Sequence, residues 1–159
     1  MELSVDQLWI LLDVFIAAVL SSAIGGEREQ LDKPAGLRTN MIVASISCFF
    51  VSVSPTLADF IQNNIHSADA VGVDPTRILQ AIVVGVSFIG AGTILKSKDE
   101  NSVQNLTTAS TLLYSAGIGI AVAVNYYILA IGLTLIILII NSLHYVKNLM
   151  KTLKGHTKD

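Results

Sequence analysis

Between Gly25 and Asn40 the sequence reads Gly-Gly-Glu-Arg-Glu-Gln-Leu-Asp-Lys-Pro-Ala-Gly-Leu-Arg-Thr-Asn. Glu27, Arg28, Glu29, Asp32, Lys33 and Arg38 crowd six charges, three of each sign, into twelve residues. Carboxylates at this density can bind a hard cation through oxygen or pair with neighbouring cations. Two arrangements fit. In one, the segment is a solvated loop with exposed ion pairs, each worth little. In the other, Glu27 and Arg28 fold inward onto other helices, and Arg38 pairs with Glu27 or Glu29 to close a charged mouth.

Asp13 is the other acid with chemical potential, because it interrupts an apolar stretch. A carboxylate in hydrocarbon costs a few kcal/mol, so it must face protein or water, or lie near an interface. It could be protonated, hydrogen-bonded or a cation ligand. Asp13, Glu27 and Glu29 are the only weak candidates for metal ligation. His66, His144 and His156 are scattered, with no acid at ligand spacing. No Ser-His or Cys-His arrangement and no phosphate-binding glycine loop appears, so the chain reads as a non-enzyme requiring no cofactor, with magnesium the one ion to consider.

Gly85-Val-Ser-Phe-Ile-Gly-Ala-Gly92 is rich in small residues. Such a stretch lets membrane helices pack backbone to backbone. Alternatively the helix unwinds there, and freed carbonyls line a cavity or hold a cation. Gly117-Ile-Gly119, with Ser115 and Ala116, is the expected partner surface. Thr107, Thr108, Ser110 and Thr111 either cap the fourth span or face the cluster around Glu27.

Positioning these residues is a task for membrane helices. The chain has 159 residues, 52% hydrophobic and 14% charged, with mean hydropathy +0.64. Soluble domains carry about 25% charged residues. No Lys, Arg, Asp or Glu lies between Glu100 and Lys147. A bilayer asks for this composition, and a secreted disulfide scaffold, a disordered tail and a basic nucleic-acid binder do not. The net charge is only −2 and Cys48 is the lone cysteine, so no intramolecular disulfide is available. The acidic N-terminus, Met-Glu-Leu-Ser-Val-Asp, does not read as a cleavable signal.

At 1.5 Å per residue about 20 residues cross a bilayer core. The expected fold is a single all-α domain over 1–159 with spans near 8–24, 40–57, 78–95, 106–124 and 126–146. A short basic tail follows at 147–159. Asp74 caps the third span and Pro75 opens it. Asn125 marks the turn between the last two spans, since a 40-residue span exceeds any membrane. Leu57, Phe60, Ile61 and Ile65 suggest a short interfacial helix in the loop from Pro55 to Arg77, which also holds Asp59, Asp69 and one histidine. With five spans, nine of the ten basic residues fall on one side and only Arg77 on the other. The positive-inside rule then puts the N-terminus outside and the C-terminus in the cytoplasm.

Three blocks carry a family resemblance. Gly-Glu-Arg-Glu at 26–29, followed by Lys33-Pro-Ala-Gly36-Leu37-Arg38-Thr39, closely resembles the first signature of the MgtC/SapB membrane proteins. Arg77-Ile-Leu-Gln80, with Gly85-Val-Ser-Phe88-Ile-Gly90-Ala91-Gly92, resembles the second. Leu106-Thr107-Thr108-Ala109, with Ser115-Ala116-Gly-Ile-Gly119, resembles the third. The chain departs from the pattern at Ser21 (usually Gly), at Gln104-Asn105 (often Arg-Gly) and at Leu113 (commonly Trp). The resemblance implies a multi-pass bacterial inner-membrane protein. It also implies a link to growth at low magnesium, to survival inside host cells and to modulation of the proton-translocating ATP synthase. The expected function is a non-enzymatic regulator of magnesium or ion homeostasis acting through membrane partners, with a homodimer among them. The alternative is a cation (magnesium or proton) transporter or channel subunit.

Overall fold

The computed structural model describes residues 3–64, 74–96 and 103–155, with side chains over most of these ranges. Five helices follow one another: α1 Leu3–Gln30, α2 Leu37–Asn64, α3 Pro75–Thr93, α4 Leu106–Ala123 and α5 Tyr127–Gly155. The first four are long and apolar enough to cross a membrane. The described apolar stretch of α5 runs Tyr127–Ser142. The only strands among the described residues are Leu95–Lys96 and Val103–Gln104, a two-residue antiparallel ladder between α3 and α4.

The helix ends follow from local chemistry. α1 stops where the Lys33 N–H bonds back to the Arg28 carbonyl and the Asp32 N–H to that of Glu29, with Asp32 left-handed at φ 51°. The same motif closes α4: Tyr126 N–H reaches Ala121, Asn125 N–H reaches Val122, and Asn125 is left-handed at φ 62°. Asparagine and aspartate tolerate this conformation better than most residues, which is why the chain can reverse at Asn125. Asn105 sits at φ 67° before α4, a left-handed position that asparagine tolerates better than most residues. α3 begins as expected, with the Asp74 carboxylate accepting from the Thr76 N–H and Pro75 following it.

The expected short interfacial helix after Pro55 does not form. α2 continues through Pro55 to Asn64, so Leu57, Phe60 and Ile61 belong to it, while Ile65, His66 and Asp69 lie outside the described residues. Proline removes the N–H that would bond the Val51 carbonyl. The Ser54 hydroxyl donates to that carbonyl instead, at 2.9 Å, and the helix survives. The tail also stays helical, through Gly155, with 156–159 outside the described residues.

α1, α2 and α4 form the centre, with α3 against α4 and α5 against α1 and α4. One buried cluster joins Ala17, Ile24, Ala44, Cys48, Ile118, Ala121, Val122, Ala130 and Ile137; a second joins Val43, Ile82, Val86, Leu112 and Ala116. Small residues let the backbones meet, as bilayers require where hydrophobicity gives helices no reason to associate. A Cβ on Gly119 would overlap the Ala44 carbonyl oxygen. Gly119 therefore packs on α2, not on the α3 glycines as expected, and Gly117 next to it faces open space. α3 is continuous through Thr93, without unwinding at Gly90-Gly92. Of its glycines only Gly90 meets a neighbour, where a Cβ would lie 3.3 Å from the Ala109 Cβ; Gly85 and Gly92 meet nothing.

Candidate functional site: polar strata at two ends of the bundle

The charged segment builds one end of the bundle. Leu37 N–H, at the start of α2, donates to Glu29 Oε2 at 3.2 Å. The acid thus serves a free N–H at a positive helix terminus. Asn40 Nδ2 donates to the carbonyls of Ala35 (2.7 Å) and Gly36 (2.9 Å), bracing the turn that brings α2 back along α1. Gly25 allows that turn, since a Cβ there would lie 2.5 Å from Leu37 Cα. Gly36 lies against the Glu29 side chain.

The two residues flush with the membrane turn inward. Arg28 is only 4% exposed and donates through Nη2 to the Thr108 hydroxyl of α4. Glu27 Oε2 accepts from Asn141 Nδ2 of α5 at 2.9 Å. Thr111 donates to the Thr108 carbonyl, and Ser115 donates to Asn40 Oδ1 at 2.8 Å. Arg28 Nε and Asn141 Oδ1 are buried without a partner among the described residues. The expected pairing of Arg38 with Glu27 or Glu29 is not made. Both acids are bonded elsewhere, Arg38 points to the exposed surface, and the one ion pair among the described residues is Arg77–Asp74.

Asp13 is buried at the opposite end, 8% exposed. Tyr127 Oη donates to its Oδ1 at 2.7 Å and lies 3.0 Å from Asn125 Oδ1. Fourteen residues of helix, about 21 Å, separate Asp13 from Glu27. Asp13, Glu27 and Glu29 therefore do not form one ligand set, and no group of three His, Cys, Asp or Glu side chains gathers among the described residues. Between the two polar strata lie Ala17, Ala44, Cys48 and Ile118, closed by the α2–α4 contact at Gly119.

Most of the other sequence candidates fall on outward faces. Lys33, Leu37, Arg77, Gln80, Ala91 and Thr107 are exposed, and Thr39 is partly so. Phe88 is 83% exposed. Ala116 and Ala109 pack within the bundle. The sequence reading missed Asn141 and Tyr127. An asparagine inside an apolar helix was a usable signal for the first, whereas a tyrosine at a helix start signals nothing by itself.

This geometry defines a multi-pass helical membrane protein with a hydrogen-bonded charged mouth and a separate buried acid. Residues 14–149 match the MgtC family model, and the chain belongs to that family. It is 38% identical over 136 residues to the putative magnesium transporter YhiD of Escherichia coli K12, covering 84% of this chain and 60% of that protein. It is 37% identical over 130 residues to protein SapB of Bacillus subtilis strain 168, covering 82% of this chain and 54% of that one. Identity to protein MgtC of Salmonella typhimurium LT2 is 37% over 133 residues, covering 84% and 51%. The chain thus spans between half and three fifths of these relatives' lengths. No solved structure matches it. Its place is the bacterial cell membrane, as for its family.

Proposed function

We propose that this protein is a non-enzymatic regulator of magnesium or ion homeostasis that acts by holding a membrane partner. The carrying observation is the bare face of α3: Gly85 and Gly92 have no neighbour within 4 Å, and Phe88 between them is 83% exposed. Glycines that relieve no crowding inside the bundle fit close approach by a helix from outside. A second copy, or a membrane enzyme such as the proton-translocating ATP synthase, would supply that helix. In this reading the Glu27–Asn141 and Arg28–Thr108 bonds keep the mouth closed. Nine basic residues on the mouth side would hold it in the cytoplasm.

A photo-crosslinking residue at position 88 tests this in native membranes. The expected result is a discrete adduct that Gly85→Leu and Gly92→Leu together abolish. An unchanged adduct with both leucines in place would refute docking through this face.

One observation favours the rival reading, a cation transporter, the description carried by the YhiD relative. Polar strata stand at both ends of one bundle, with Asp13 at one and Glu27 at the other. Magnesium keeps several waters and needs few protein oxygens at each stop. Transport would require the α2–α4 contact at Gly119 to open.

A further inference from the structure

Tyr127 Oη stands between two oxygens that both call for its single hydrogen. Asp13 Oδ1 lies 2.7 Å from it and Asn125 Oδ1 3.0 Å from it. A phenol has one hydrogen to give and lone pairs with which to accept. Two arrangements therefore satisfy all three groups. With Asp13 ionised, Tyr127 donates to the carboxylate, and the Asn125 amide turns over so that Nδ2 donates into Oη. With Asp13 protonated, the carboxyl donates to Oη and Tyr127 donates to Asn125 Oδ1. The two differ by one proton on Asp13 and half a turn of one amide.

The surroundings suit a site that uses both. Asp13 is buried, and no base meets it among the described residues. Arg28 and Arg38 belong to the mouth end, and α4 and the Tyr127–Ser142 stretch of α5 contain no Lys or Arg. Arg77 lies on α3, which packs on α4 and α2, and it leans on Asp74. The titratable side chains that face Asp13 are the Cys48 thiol from α2 and Tyr127 from α5. Others stand further off. Tyr114, the one titratable group of α4, lies eleven residues before Asn125, about 16 Å along the helix. Asp59 and Asp6 are exposed, eleven residues beyond Cys48 and seven before Asp13. A buried carboxylate without a cation is relieved by taking up a proton, and one bonded to a phenol can also keep its charge.

The three groups also step from interior to surface. Asp13 is buried, Tyr127 half-buried and Asn125 exposed, and a surface hollow of about 570 Å³ is lined by Asn125, Tyr126 and Tyr127. Tyr127 can pass its hydrogen to Asp13 and take one from hydronium in the hollow, which restores the phenol. The proton thus arrives from the end opposite the mouth, while the middle of the bundle stays closed.

We infer that Asp13, Tyr127 and Asn125 form a proton-binding site, in which uptake of one proton by Asp13 reverses the hydrogen-bond chain and turns the Asn125 amide over. Asn125 is the left-handed residue at φ 62° that closes α4. The bound proton is thereby displayed at the surface: the amide presents its oxygen outward when Asp13 is ionised, and its N–H groups when Asp13 is protonated. The site lies apart from the α3 face and from the mouth, so it rests on neither reading of the function.

Nuclear magnetic resonance of the full chain in lipid nanodiscs, with ¹³C and ¹⁵N in its aspartates and asparagines, follows both ends of the chain through a pH titration. As pH falls, Asp13 Cγ should move to the position of a protonated carboxyl. The Asn125 Nδ2 resonance should move with it, on one shared midpoint. Tyr127→Phe should leave Asp13 able to take its proton and abolish the Asn125 response, and Asp13→Asn should abolish that response too. An Asp13 Cγ that stays a carboxylate wherever the wild type is folded would overturn the proton site. Two separate midpoints in the wild type, or an Asn125 response that survives Tyr127→Phe, would overturn the chain.

Discussion

Arg28 and its neighbours show how a charge survives at the edge of a membrane. Its guanidinium has the Thr108 hydroxyl for a partner, and the adjacent carboxylates of Glu27 and Glu29 are held by Asn141 and by the start of α2. Hydrogen bonds to charged groups contribute about 1.5–3 kcal/mol, and losing one partner leaves the other desolvated and unmet. Thr108→Val should therefore lower unfolding stability in detergent by about 1.5–3 kcal/mol. Arg28→Met removes the charge and leaves only the neutral Thr108 hydroxyl unmet, and should cost less than Thr108→Val. If the methionine variant is the less stable of the two, Arg28 has a stronger partner than Thr108. At the other end, Tyr127→Phe strips the donor from Asp13 and should cost about 1–3 kcal/mol in the same assay. An unchanged midpoint would mean that water satisfies the acid. Nothing in the sequence paired residues more than a hundred positions apart, such as Tyr127 with Asp13 or Asn141 with Glu27. Their types were readable; which helix faces met depended on rotations that a nearly uniform apolar surface does not encode.

Among the helices, glycines sort into those that carry contacts and those that do not. Gly119 and Gly25 lie where a Cβ would overlap backbone of α2, and backbone cannot move aside cheaply. Gly119→Ala and Gly25→Ala should each cost at least about 1–3 kcal/mol, the usual penalty of overpacking. Gly117→Ala and Gly85→Ala meet open space and should be neutral or stabilising by up to about 1 kcal/mol from helix propensity. Thermal midpoints of the four variants give the ranking; a destabilised Gly117→Ala beside an unaffected Gly119→Ala would reverse it. The glycine motifs were visible in sequence, and Gly90 and Ala116 do lie where α3 meets α4, yet Gly119 packs on α2 instead, because small residues advertise close approach without saying to what. Element boundaries fared better where turn chemistry was explicit. Asp74-Pro75 and Asn125 mark their ends by mechanisms that read directly from residue type. Pro55 misled because Ser54 repairs the bond that proline breaks.

For the molecule as a whole, composition was the surest guide. A charge-free run from Asn101 to Val146 leaves no fold but membrane helices, and five helices follow. The bundle that results is closed in its middle and bare on its α3 side. A closed centre with an open flank suits a protein that works by contact, and a transporter would need the reverse arrangement for part of its cycle. Magnesium flux into liposomes holding only the purified protein separates the two most directly. The account predicts uptake no faster than in protein-free liposomes while the reconstituted protein remains folded. Uptake that rises with protein content and is lost in Glu27→Gln would contradict it, and would make the two polar strata stations on an ion path.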